Sequence, residues 1–126
     1  MRFISEKHEK RFREACELID KNNRDEVAAC YLLTAKKGIW KEIKKCIGFS
    51  ELDMDLCAFE PQTLTEQALF NAAYDIYHFS DAVILRDLAD PDTIPNEAFS
   101  LILATLLYLR FGFDDVTLDR EELEYT

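Results

Sequence analysis

Ala98-Phe99-Ser100-Leu101-Ile102-Leu103-Ala104-Thr105-Leu106-Leu107-Tyr108-Leu109 is the stretch that decides the fold. None of its twelve residues is charged, and a helical segment without a polar face is expected to be wrapped by other elements. Pro95 suits a first helical turn and Gly112 supplies a stop, so a helix is predicted from about residue 95 to 111. Ser100 and Thr105 interrupt the run, and it is too short to span the ~30 Å hydrocarbon core of a bilayer. It reads as a core helix. Residues 28–33, Ala-Ala-Cys-Tyr-Leu-Leu, repeat the pattern and are expected to be its central partner.

Helical periods extend outward from these two stretches. Ser5 can cap a first helix to about Asp20, with Phe12, Ala15, Cys16 and Ile19 on one stripe. Asn23 with Glu26 three residues later resembles a capping box for a second helix, which Gly38 ends or kinks. Ile39, Trp40, Ile43 and Ile47 build a short third helix, closed by Gly48. Residues 49–62 alternate loosely, as a short strand or an irregular connection would, and the irregular connection is the favoured reading. Thr63 with Glu66 is a second capping box, opening a helix to about Phe79 whose core stripe is Leu69, Ala72, Ala73 and Ile76. One or two further turns follow before the break at Asp90-Pro91-Asp92.

Only three Gly and three Pro leave little room for the tight turns of an all-β fold. The expectation is an all-α protein, a single compact domain of about five to six helices over residues 1–112. The irregular connection lies near residues 49–62, and an acidic C-terminal tail follows from residue 113. That tail, residues 113–126, holds six acids and one Arg. Val116, Leu118, Leu123 and Tyr125 are placed to tie it to the domain or to a neighbour.

Charge divides the chain. Residues 1–48 carry twelve Lys/Arg and eight Asp/Glu, a balance of +4, and residues 49–126 carry three and seventeen, a balance of −14. A net charge of −10 argues against general affinity for nucleic acid or for an anionic membrane, and fits a cytoplasmic protein offering acid to a protein partner. The opening Met1-Arg2-Phe3-Ile4-Ser5 reads as neither a secretory nor a transit segment. Cys16, Cys30, Cys46 and Cys57 show no CxxC spacing and are expected to be reduced, buried thiols without zinc.

No catalytic motif stands beside these features. There is no GxSxG elbow, no glycine-rich loop ahead of a Lys and no HExxH, so neither cofactor nor catalytic residue is assigned. His8 shares the apolar stripe of the first helix and is expected to be satisfied by a carbonyl or carboxylate. His78 ends the fourth helix, where an imidazolium suits the helix dipole. Asp53/Asp55 and Asp90/Asp92 resemble fragments of a calcium loop but lack its glycine and distal Glu, so they read as loop acids. Lys37, Lys41, Lys44 and Lys45 fall on one helical stripe beside Trp40. With the tail acids Asp114, Asp115, Asp119, Glu121 and Glu122 they are the candidate partner-binding residues. The two sets are expected to meet, within one chain or between copies of a homo-oligomer.

The opening Phe3-Ile4-Ser5-Glu6-Lys7-His8-Glu9-Lys10-Arg11-Phe12 resembles the start of a family of small helical proteins of unknown function from Firmicutes and their phages. Residues 64–79 and 85–112, the latter ending Leu109-Arg110-Phe111-Gly112, are similar to its other two motifs. His78-Phe79 stands where that pattern has an Asn-Gly turn. The resemblance implies a compact helical domain of a bacterial or phage cytosol and carries over no active residues. It draws attention to His8, Arg11 and Phe12 as one cluster that locks the fold.

Three functions fit these residues. The first is a non-enzymatic interaction module that binds a protein through its acidic half. The second is an acidic mimic of nucleic acid that occupies a basic nucleic-acid-binding protein. The third is a small enzyme or ligand-binder with a pocket near His8, Tyr74, Tyr77 and His78.

Overall fold

A computed structural model describes residues 2–48, 51–57 and 59–112. The helices are α1 (Glu6–Leu18), α2 (Arg24–Leu33), α3 (Lys37–Ile43), α4 (Leu64–His78), α5 (Leu85–Leu88) and α6 (Asn96–Phe111). Between α3 and α4 lie the strands β1 (Ile47–Gly48) and β2 (Glu51–Leu52), paired antiparallel, with Ile47 opposite Leu52. Short 3₁₀ turns at Lys44–Cys46 and Met54–Leu56 flank this hairpin. Among the described residues the fold is all-α apart from it, one domain around one core.

α2 is the axis of the fold. Every residue from Glu26 to Leu33 is buried, and α1, α3, α4 and α6 all pack on it. Asn23 starts the helix by accepting the N–H groups of Asp25 and Glu26 on its side-chain oxygen. The broadest contact on α2 belongs to α4, which presents Ala68, Leu69, Ala72 and Ala73. Small residues on both helices, Ala28 and Ala29 included, allow close approach of their axes. The central pair is therefore α2 with α4, where residues 98–109 had been expected as the partner.

α6 departs furthest from expectation. Ala98, Leu101, Ile102, Thr105 and Tyr108 face the core at helical spacing, so one side is buried. The other side is not wrapped: Leu103 is 44% and Leu106 46% exposed, and Phe99 lies out with them. The charge-free run from residue 98 to 109 thus presents one apolar face to the core and another outward.

The glycine stops are corrected too. α2 ends before Gly38, at Leu33, where the Thr34 hydroxyl donates back to the Cys30 carbonyl at 2.7 Å. Gly38 sits instead in the first turn of α3, where an added Cβ would lie 2.7 Å from Glu66 Oε2. Gly48 belongs to β1 and does not cap a helix. Gly112 does end α6, with φ of 88°. The connection over residues 49–62 is irregular only in part, because the hairpin and a 3₁₀ turn occupy its start.

Candidate functional site

The first candidate cluster lies where the N-terminal segment crosses α2. The Ser5 hydroxyl accepts the His8 N–H at 3.0 Å and begins α1. The buried His8 ring bonds on both sides: Nδ1 accepts the Ile4 N–H at 3.2 Å, and Nε2 lies 2.9 Å from the Tyr31 carbonyl. Nδ1 must then carry a lone pair and Nε2 the proton, which defines the neutral tautomer. Burial holds the imidazole below its ordinary pKa; the Tyr31 carbonyl pulls the other way, and Arg11 and Lys36 add to the lowering.

Arg11 caps α2 from outside, donating to the carbonyls of Thr34 at 2.7 Å and Ala35 at 3.0 Å. Phe3 stands 5.0 Å from the His8 ring, 5.5 Å from Phe12 and 5.9 Å from Tyr31. The Tyr31 hydroxyl donates to the Arg2 carbonyl. Both His8 nitrogens are engaged in holding the chain together, which leaves neither for a proton-transfer or ligand role. His8, Arg11 and Phe12 sit together here and tie the N-terminal segment and α1 to α2.

Tyr74, Tyr77 and His78 come together at the end of α4, and His8 is not with them. The Tyr74 ring lies 4.2 Å from His78 and the Tyr77 ring 5.2 Å from it. The Tyr74 hydroxyl donates to Asp55 Oδ1 at 3.0 Å. His78 Nε2 is buried and has no hydrogen-bond partner among the described residues. Tyr77 lines an open, polar cleft of about 690 Å³ with Asp20, Glu26 and Glu51, and neither histidine lies in its walls. Burial, with Glu26 next, pushes the Tyr77 hydroxyl up to about 12. No group of three or more His, Cys, Asp or Glu among the described residues is placed to hold a metal ion. All four cysteines are free, and burial raises the Cys16, Cys30 and Cys57 thiols, Cys57 to about 12 beside Cys46. Such thiols stay protonated and are poor nucleophiles.

The basic candidates keep their charge at the surface. Lys37, Lys41, Lys44 and Lys45 are exposed, while Trp40 is 5% exposed and turned into the core with Ile39 and Ile43. Trp40 is thus a packing residue, and the lysines have no aromatic neighbour at the surface from it. Lys44 pairs with Glu14 at 2.5 Å and Lys45 with Glu42 at 3.4 Å, both acids of the N-terminal half. Among the described residues, Lys36 and Glu97 form an ion pair between the two halves, outside the predicted stripe. Exposed pairs of this kind contribute about 0–1 kcal/mol each. Asp114, Asp115, Asp119, Glu121 and Glu122 lie outside the described residues, as does the expected anchoring by Val116, Leu118, Leu123 and Tyr125.

A surface that the sequence reading passed over lies between α4 and α6. Asp75 organises it: its carboxylate accepts the Ser80 hydroxyl at 2.6 Å and the N–H groups of Ala82 at 2.9 Å and Val83 at 2.7 Å. Asp87 accepts the Ile84 N–H, and Asp90 accepts the Asp92 N–H and the Thr93 hydroxyl. The segment so built leaves Phe79 84% and Leu85 85% exposed, with Ile84 out beside them. Leu85, Leu88, Ala89, Pro91, Ile94 and Phe99 line a groove of about 560 Å³ next to it. The run Val83-Ile84-Leu85, apolar residues among Ser and Asp just before a proline break, was the available signal.

Comparison with family models, with curated proteins and with solved structures finds no match. The likeness to the Firmicutes and phage family gains no support there. No helix among the described residues is long and apolar enough to cross a membrane.

Proposed function

We propose that this protein is a non-enzymatic interaction module whose acidic half binds a protein partner through the apolar ledge between α4 and α6. The observation that carries this reading is Phe79. It caps α4 in the left-handed region, with φ of 55°, and among the described residues it is the one non-glycine with positive φ. A non-glycine residue there costs about 1–2 kcal/mol, and glycine is the usual solution. The ring gains little in return, because it stands in solvent. Strain kept at an exposed aromatic side chain supports a contact outside the chain. The groove supplies room for an apolar anchor of the partner, and the exposed Asp81 and Asp92 favour a basic rim around it.

The test replaces Phe79 with a photoreactive phenylalanine analogue in cells of the host and looks for a covalent adduct with one protein. Phe79→Gly should raise stability by about 1 kcal/mol, since it removes the strain, and should lose the partner. An unchanged partner set after Phe79→Gly combined with Leu85→Ser overturns the reading.

A further inference from the structure

The polar cleft of about 690 Å³ lies where several elements meet: Asp20 and Lys21 after α1, Glu26 in the first turn of α2, Glu51 of β2 and Tyr77 of α4 form its walls. Glu26 is 2% exposed, and its Oε1 accepts the Leu52 N–H at 2.9 Å. Its second oxygen, Oε2, has no hydrogen-bond partner among the described residues, and neither has the Tyr77 hydroxyl. One Asp20 oxygen accepts the Asn22 N–H at 2.9 Å. No ion pair among the described residues neutralises Asp20, Glu26 or Glu51, although Lys21 stands in the same wall. Burial raises the Glu26 carboxyl above its ordinary pKa, the Leu52 N–H opposes, and Glu51 and Asp20 add to the rise. An uncharged amide at this position would accept the same N–H with no charge to bury. The fold alone therefore gives no reason for a carboxylate there, and a perturbed ionisable group in a cleft points to a ligand.

We propose that this cleft binds a small aliphatic amine as its ammonium ion, held by Glu26 Oε2, the Glu51 carboxylate and the Tyr77 hydroxyl oxygen. This goes beyond the ledge at Phe79 and does not rest on it. Donor count selects the ion: an ammonium brings three N–H donors and no acceptor, and the cleft offers oxygens that lack partners of their own. Charge selects its valence. Three carboxylates and one lysine leave the walls at a balance of −2, which a diamine matches. A cation beside Oε2 also favours the ionised carboxyl that burial opposes. A metal ion fits less well, because no group of three or more His, Cys, Asp or Glu among the described residues is placed to hold one. N–H bonds from an organic cation reach acids that stand too far apart to share a coordination shell. The volume suits a small molecule, and Ile19 supplies an apolar wall for a methylene chain.

The test is calorimetric titration of the full chain, at about 50 mM salt, with putrescine, butylamine, an acetylated lysine amide and the neutral butanediol. The expected result is one saturable site for putrescine, binding of butylamine about tenfold weaker, and none of butanediol. The lysine amide distinguishes the source of the ammonium: weaker binding than putrescine identifies a free diamine, and tighter binding identifies the lysine of another protein. Glu26→Gln keeps an acceptor for Leu52 and should weaken putrescine about tenfold or more. Slow hydrogen exchange at Leu52 shows that this variant keeps its hairpin. Glu51→Gln, at an exposed side chain, and Tyr77→Phe should each weaken binding about three- to tenfold. Glu6→Gln, at an exposed acid of the opposite end of α1, should leave it unchanged. An equal loss in Glu6→Gln would mean diffuse attraction to a chain of charge −10 and overturns the proposal. So does wild-type affinity in a folded Glu26→Gln variant, and so does the absence of saturable binding by every amine. None of these outcomes depends on Phe79, so the ledge and the cleft stand or fall separately.

Discussion

Glu26 offers the sharpest test of how the fold is held. It lies in the first turn of α2, is 2% exposed, and accepts the buried Leu52 N–H on Oε1 at 2.9 Å. This bond ties β2 to the central helix. Burial raises the carboxyl pKa above its ordinary 4.5, the Leu52 N–H pulls it back, and Glu51 and Asp20 push it up further. A carboxyl whose folded pKa exceeds its unfolded pKa binds the extra proton in the folded state. It therefore lowers stability as pH rises from about 4.5 through the folded value.

Two substitutions separate the hydrogen bond from the charge. Glu26→Gln keeps an acceptor for Leu52 and removes the charge. It should gain stability at pH 7, by ~1.4 kcal/mol for each unit that separates the two pKa values. Glu26→Ala leaves the Leu52 N–H buried and unpaired, at about 1–3 kcal/mol, and also forgoes packing of a buried methylene at ~0.8 kcal/mol. A loss of about 2–4 kcal/mol is expected. Urea unfolding at pH 5 and pH 7 measures both, and hydrogen exchange at Leu52 should be slow in Glu26→Gln and fast in Glu26→Ala. Equal destabilisation by the two changes would refute the reasoning, since the ion itself would then be what the fold requires.

Further outcomes follow from the same structure. The imidazole of His8 should titrate below 6.5 and show the Nε2–H tautomer at pH 7 by nitrogen NMR. Its folded pKa lies below the unfolded one, so its share of stability is lost as pH falls from about 6.5 through the folded value. Leu32→Ala, at a fully buried site on α2, should cost ~2–5 kcal/mol in urea unfolding, against ~0.5 kcal/mol or less for Leu103→Ala at low protein concentration. The order of those two values checks which face of α6 is in the core.

Helix identity was legible wherever a cap and a period agreed. Ser5, Asn23 and Thr63 each accept an N–H as their sequence position predicts. The partners of two capping boxes were not legible: Glu26 reaches Leu52, and Glu66 accepts the Gln62 N–H at 2.8 Å, one residue before the cap. A carboxylate takes the nearest unpaired donor, and for Glu26 that donor comes from 26 residues away, beyond any local pattern. α6 misled for a different reason. Hydrophobicity reports the cost of exposure but not whether enough chain exists to cover both faces. The ledge at Phe79 was hidden because a helix-ending Phe reads as core when its φ is unknown. The partner of His8 was legible in kind, because a polar group on an apolar stripe must be satisfied, here by the Tyr31 carbonyl of the next helix.

The charge asymmetry that dominates the sequence acquires a local explanation. With three glycines in the whole chain, the connections cannot rely on free backbone turns. Carboxylates take that role: Asp53 accepts the Asp55 N–H, Glu66 that of Gln62, Asp75 two backbone N–H groups, Asp87 that of Ile84 and Asp90 that of Asp92. Asp55 accepts the Tyr74 hydroxyl, and Glu97 pairs with Lys36. Much of the acid in the described part of the second half is thus turn chemistry, fixed by the needs of the fold. Among the described residues of this half the fold also leaves apolar side chains outward, Phe79, Ile84 and Leu85 on one surface and Phe99, Leu103 and Leu106 on the other. Recognition on such surfaces rests first on buried area, with charge steering the approach and selecting the orientation.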